Sequence, residues 1–280
     1  MSGPDWPAGF SGELPARPAG GGRRVPRLPV LFAVCVVLTA VVVLEVRDRP
    51  PPAPTPAGPA PQAAAAGPAH PAGGTGPELP AGVPFPERGH GTWHRAPGPH
   101  GTWGAGPVRT FAVEVEDGVD LPHGDDSFAA VVHRVLLHPR GWASTGRVAL
   151  RSAETGEPDL RIRLASQWTA RSVCGFDLPY DTSCHVDGGV YLSAARWFRG
   201  AHSFGDDLSG YRAYAVNHEV GHYLGLGHEV CPEDGAPAPL MMQQTFSTGN
   251  DELADITAAL PQGVVVPRDG RVCTPNSWPG

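Results

Sequence analysis

Residues 217–229 read NHEVGHYLGLGHE. A helix through the first half of this stretch puts His218 and His222, four residues apart, one turn above each other on the same face, so both imidazoles can meet one ion. Glu219 is rotated from them by roughly 100°, too far to be a third ligand in the same plane yet near enough to reach a water on the metal. Gly225 lets the chain leave the helix in a conformation that disfavours a Cβ. That turn returns His228 as the third ligand. Three neutral imidazoles with an open fourth position make a catalytic rather than a structural zinc arrangement, because closed structural sites have four protein ligands and are usually Cys-rich. One Zn2+ per chain is expected, with Glu219 as general base.

Two His and a Glu at HExxH spacing are a weak signal, since such a trio often forms an ordinary polar helix face. Gly225 and His228 raise the fixed positions to five, and a chance match in a chain this long is on the order of one in ten thousand. Upstream, Asp207 or Ser209 can cap the helix, with Tyr211, Ala215, Tyr223 and Leu224 at helical spacing. Downstream, Leu240-Met241-Met242 follows His228 behind Pro237 and Pro239.

Before this helix, Val108–Glu116 alternates from Thr110 on and reads as a half-buried strand. Asp125, Asp126 or Ser127 can cap a helix running to His138, with Phe128, Val131, Val132, Val135 and Leu136 on one face and Pro139 ending it. Residues 147–151 and 160–165 alternate again around a turn at 154–157, and Val190-Tyr191-Leu192 is a further short strand. The His-Gly-Thr-Trp repeat at 90–93 and 100–103 reads as a hairpin turning at 97–99; the sharper alternative is a carbohydrate or cell-wall contact. Strand, helix, strands and helix in this order indicate an α+β domain with a mixed sheet over residues 85–280.

Four of the five cysteines, Cys174, Cys184, Cys231 and Cys273, follow the N-terminal third of the chain, and none stands as Cys-x-x-Cys. An even number beyond an export segment indicates two disulfides. Three pairings are open; the short loop between Cys174 and Cys184 can close on itself, leaving Cys231 for Cys273. The fifth, Cys35, lies in the apolar run LPVLFAVCVVLTAVVVL at 28–44, which follows Arg17, Arg23, Arg24 and Arg27. With Val46 this gives a transmembrane helix at 28–46, short for a bilayer core at about 1.5 Å per residue. The Arg excess ahead of it keeps residues 1–27 cytoplasmic and exports the rest. A cleaved signal peptide and a secreted product are the competing reading. Residues 47–84 are almost wholly Pro, Ala and Gly, a disordered linker.

Of 280 residues, 33 are Pro and 37 Gly, and they cluster before about residue 108. Net charge is −7, and because the first 49 residues are slightly basic, the remainder is more acidic still. An acidic body argues against nucleic acid as a partner. All 21 basic residues are Arg.

The HExxHxxGxxH run from His218 to His228, followed by a Met-containing turn, resembles the metzincin clan of zinc metallopeptidases. The resemblance implies a twisted mixed sheet, an active-site helix and a hydrophobic floor beneath the metal, formed by Met241 as the favoured residue or by Met242. Together with the segment 238–245 (APLMMQQT) and the terminal CTPNSWP, the motif is also similar to an uncharacterised actinobacterial family of exported zinc-protease-like domains. Glu229 is reminiscent of the astacin group, but little around it matches. What this implies is a membrane-anchored endopeptidase cleaving peptide or protein substrates. The alternative is a zinc-containing extracellular binding domain for peptide or cell-wall ligands, and a third reading is a purely structural stalked protein. Tyr211, Tyr214, Tyr223 and Gln243 are unranked candidates for stabilising an oxyanion, and oligomeric state is open.

Overall fold

A computed structural model describes residues 76–153, 155–258, 260 and 265–279. The segment at 28–46 and most of the 47–84 stretch lie outside the described residues. Among those described, no helix is long and apolar enough to cross a membrane.

The described residues form seven strands: β1 (Trp93–Ala96), β2 (Thr102–Gly104), β3 (Val108–Glu116), β4 (Ala149–Ser152), β5 (Leu160–Ala165), β6 (Cys184–Val186) and β7 (Gly189–Ser193). The helices are α1 (Asp125–Leu136), α2 (Gln167–Cys174), α3 (Ala194–Arg199), α4 (Leu208–Tyr223) and α5 (Asn250–Thr257). One mixed sheet runs β2-β4-β3-β5-β7-β6, and β1 also pairs with β3. Strands β3, β4, β5 and β7 are mutually parallel, while β1, β2 and β6 are antiparallel to their neighbours. The α+β class with a mixed sheet is therefore the observed one.

Alternation puts Phe111, Val113 and Val115 of β3 and Leu160, Ile162 and Leu164 of β5 on one face, all buried. They share a core with Phe128, Val132, Val135 and Leu136 of α1 and Tyr211, Ala215 and Val216 of α4. Burying each large apolar side chain of this set is worth about 1.5–3 kcal/mol relative to leaving it exposed. α1 packs on α4 and β3, and α4 on β6 and β7, so the helix carrying the motif lies across the sheet beside its β6 edge.

Three local expectations are corrected. β3 is not half-buried, because it is flanked by β4, β1 and β5 and its polar face is shielded too. Glu116, fully buried, accepts from the Gly91 and Ser166 amides and the Thr169 hydroxyl, and Glu114 accepts from Arg163 at 2.9 Å. The 90–103 repeat is not a hairpin: β1 pairs with the second half of β3 and β2 with β4, so each copy finds a longer strand instead of the other copy. β4 and β5 lie on opposite sides of β3. The helix α1 starts at Gly124, φ +72°, with no side-chain cap; Ser127 Oγ donates instead to the Gly124 carbonyl.

Residues 77–83, the end of the stretch read as linker, lie against the domain. Arg196, 1% exposed, donates to the carbonyls of Pro77, Glu78, Asp181 and Gly200, and Arg199 donates to that of Val83. Both disulfides are formed, Cys174–Cys184 and Cys231–Cys273.

Candidate metal centre

The helix α4 is capped by Asp207, whose side chain accepts from the Gly210 amide at 2.8 Å. It ends in two hydrogen bonds, Leu226 N–H to the Gly221 carbonyl and Gly225 N–H to the His222 carbonyl. This is the Schellman pairing, which requires a left-handed residue just past the helix. Gly225 supplies it at φ +85°. The reversal carries His228 back over the helix face.

His218, His222 and His228 converge, with one ligand nitrogen of each within 4.8 Å of the others. Nε2 of His222 lies 3.1 Å from Nε2 of His228. The Nδ1 atoms of His218 and His222 each donate to a carbonyl, Leu240 and Leu226 respectively, both at 2.9 Å. A carbonyl only accepts, so these bonds fix the tautomer and leave each Nε2 as a lone pair. Burial first, and then the neighbouring imidazoles, holds His218 down to about 3 and His228 down to about 4, and burial lowers His222 as well. All three are neutral at pH 7. Three neutral imidazoles converging at these distances fit a zinc ion by their chemistry.

Glu219 is 6% exposed, and its Oε2 is buried with no hydrogen-bond partner. Burial raises its carboxyl to about 8. Glu219 and the three His line one cavity of about 460 Å³. One wall is the loop closed by Cys174–Cys184, including Leu178, Tyr180 and Thr182; another is the segment after the methionines, with Gln243, Thr245 and Phe246.

Of the two methionines, Met241 packs on the helix itself: a Cβ on Gly221 would meet its Sδ at 2.3 Å. Gly221, between His218 and His222, therefore has no room for a side chain. Met242 turns the other way, into the small cluster with Cys231, Phe246, Leu253 and Cys273. The Met241 carbonyl accepts from the Glu229 amide, tying this turn to the residue after His228.

A family model described as "Protein of unknown function (DUF3152)" matches residues 79–280. The chain belongs to the DUF3152 family. No match is found among curated proteins.

The DUF3152 region includes the terminal CTPNSWP, and its geometry explains why that segment matters to the centre. Asn217, fully buried beside His218, donates to the Ser277 carbonyl; Ser277 donates to the Gly210 carbonyl; Asn276 donates to the Ala238 carbonyl and takes the Gln244 side chain against its backbone. The end of the DUF3152 chain thus laces α4 to the methionine turn.

The oxyanion candidates divide. Tyr211 and Tyr214 are buried, with Tyr211 Oη 3.2 Å from the Thr245 hydroxyl and Tyr214 donating to the Met242 carbonyl at 2.9 Å. Tyr214 and Gln243 line the cavity; Tyr211 and Tyr223 do not. Sequence reading missed His185, which lines the same cavity from β6. A single His on a three-residue strand has no spacing that would mark it.

Proposed function

We propose that the DUF3152 region of this chain is a zinc-dependent endopeptidase of metzincin-like type, hydrolysing peptide bonds with Glu219 as general base. The observation that carries this reading is a buried carboxylate, one oxygen unpartnered, in the same cavity as three convergent neutral imidazoles. His218, His222 and His228 would hold the ion, which supplies a Lewis acid toward a water and a carbonyl oxygen. A nearby divalent cation favours the charged form of Glu219, against the effect of burial, and so makes it a proton acceptor at neutral pH.

Glu219 then takes the proton of the attacking water and passes it to the amine as the C–N bond breaks. The substrate lies along β6, whose outer edge has no strand partner among the described residues, with backbone amides and carbonyls available for pairing. Gly225 and the Met241 turn position His228 and the helix. The two disulfides suit an oxidising compartment, in keeping with an anchor at residues 28–46 and an exported domain. A non-catalytic zinc-containing binding domain has no need of a general base at position 219.

Digestion of a peptide library by the zinc-loaded chain, with and without a chelator, tests the reading. Chelator-sensitive cleavage with one zinc per chain is the expected result. A zinc-loaded chain that binds peptides but cleaves none would favour the binding domain.

A further inference from the structure

His185, on the edge strand β6, lines the same cavity as His218, Glu219 and His222. It is not part of the convergent ligand set. Its Nε2 is buried and has no hydrogen-bond partner. A buried polar atom left unpaired is costly, and a ligand in the cavity could supply its partner. The ring is braced edge-on against Tyr223 of α4, centroids 5.8 Å apart at 74°, which holds the imidazole in place without using its nitrogens.

Of the neighbouring polar groups, Gln243 also lines the cavity, and three others already make hydrogen bonds. Tyr214 donates to the Met242 carbonyl, Thr182 donates to the Ser183 carbonyl, and the Ser183 hydroxyl accepts from the Ser193 amide. A substrate laid along β6 would pass its backbone over His185, on the side facing Glu219.

We propose that His185 is a catalytic residue of this site, its ring N–H donating to the oxygen of the scissile carbonyl as that oxygen becomes an anion. This rests on the hydrolase reading given above. As water attacks, its oxygen bonds to the carbonyl carbon and the C=O π electrons move onto the carbonyl oxygen, where His185 meets them. Glu219 takes the water's proton; when the C=O bond reforms, the C–N bond breaks and that proton goes to the amine. His185 keeps its own proton throughout. A donor in place before the reaction stabilises charge without reorganising, and removal of one such donor lowers kcat by about 10² to 10³.

The test uses the full chain with zinc, as wild type, His185→Ala and His185→Gln. Three quantities are read: zinc affinity by chelator competition, kcat and KM on a cleaved peptide, and calorimetric affinity for a phosphinic peptide, whose tetrahedral anion stands in for the charged oxygen. His185→Ala should leave zinc affinity unchanged and KM within about threefold, while kcat and phosphinic-peptide affinity both fall by about 10² to 10³. His185→Gln, which keeps an N–H donor, should recover part of both losses. An active wild type with an equally active His185→Ala variant overturns the role of His185 alone. A loss of zinc affinity in the variant overturns it too, by making His185 a ligand. A zinc-loaded wild type that hydrolyses no peptide overturns the hydrolase reading itself, and the role of His185 with it.

Discussion

Replacing Cys231 and Cys273 together by Ala should cost this chain more stability than replacing Cys174 and Cys184. The bond closes a span of 42 residues, the other one of 10. Loop-closure entropy in the unfolded chain puts the first at about 4 kcal/mol and the second at about 2.7 kcal/mol. Both sulfurs of the longer link are in a small cluster with Met242, Phe246 and Leu253, and Cys231 is tied through its backbone to the Asn250 side chain. That cluster is too small to hold the segment after His228 by apolar burial alone. Urea unfolding followed by circular dichroism measures the effect. With a slope of about 2–3 kcal/mol/M, the midpoint should fall by roughly 1.3–2 M. Because Cys231 lies three residues beyond His228, zinc affinity should drop in the same variant. Removal of Cys174–Cys184 should cost less stability and act on the cleft wall. A longer link that proves worth less than the shorter one would refute the entropy argument.

Gly221→Ala should destabilise by about 1–3 kcal/mol and weaken zinc retention, because the new Cβ meets the Met241 sulfur and the Trp142 ring; an unchanged melting temperature would show that the turn can yield. Acid should destabilise the metal-free chain. His218 and His228 have folded values near 3 and 4, below the 6.5 of the unfolded chain, so between those values the unfolded state binds more protons and stability falls as pH drops. Glu219 has the opposite sign: its folded value of about 8 lies above 4.5, so the folded state holds the proton and stability falls as pH rises through that window. Metal-free Glu219→Gln should therefore gain stability over wild type as pH rises from about 4.5 to 8; a constant difference across that range in urea titrations would contradict this. Protease added to intact cells should remove the C-terminal domain and spare an N-terminal tag, whereas a product free in the medium that starts beyond residue 40 would support signal cleavage.

The centre was legible in the sequence because its spacing is dictated by one helix and one turn. His218 and His222 need only the helical repeat, and Gly225 announces the left-handed residue that returns His228. β3 and β5 were legible for the same local reason, their bounds being set by alternation. What sequence could not supply was partner choice between segments far apart. The two His-Gly-Thr-Trp copies look self-complementary, yet β3 and β4 offer each a better edge. Glu114 and Glu116 read as solvent-facing because charge is usually exposed, but Arg163 and the amides of Gly91 and Ser166 make their burial tolerable. His185 and the lacing of Asn217 to Ser277 depend on contacts across the fold, which no spacing along the chain encodes.

The central claim is that Glu219 is a base and not merely a polar residue beside a metal. Glu219→Gln keeps the size and part of the hydrogen bonding but cannot accept a proton. Measured on the zinc-loaded full chain with a peptide it cleaves, this variant should retain one zinc per chain and wild-type folding while kcat falls by about 10² to 10⁴. Hydrolysis that continues at the wild-type rate, with zinc bound, would contradict the account.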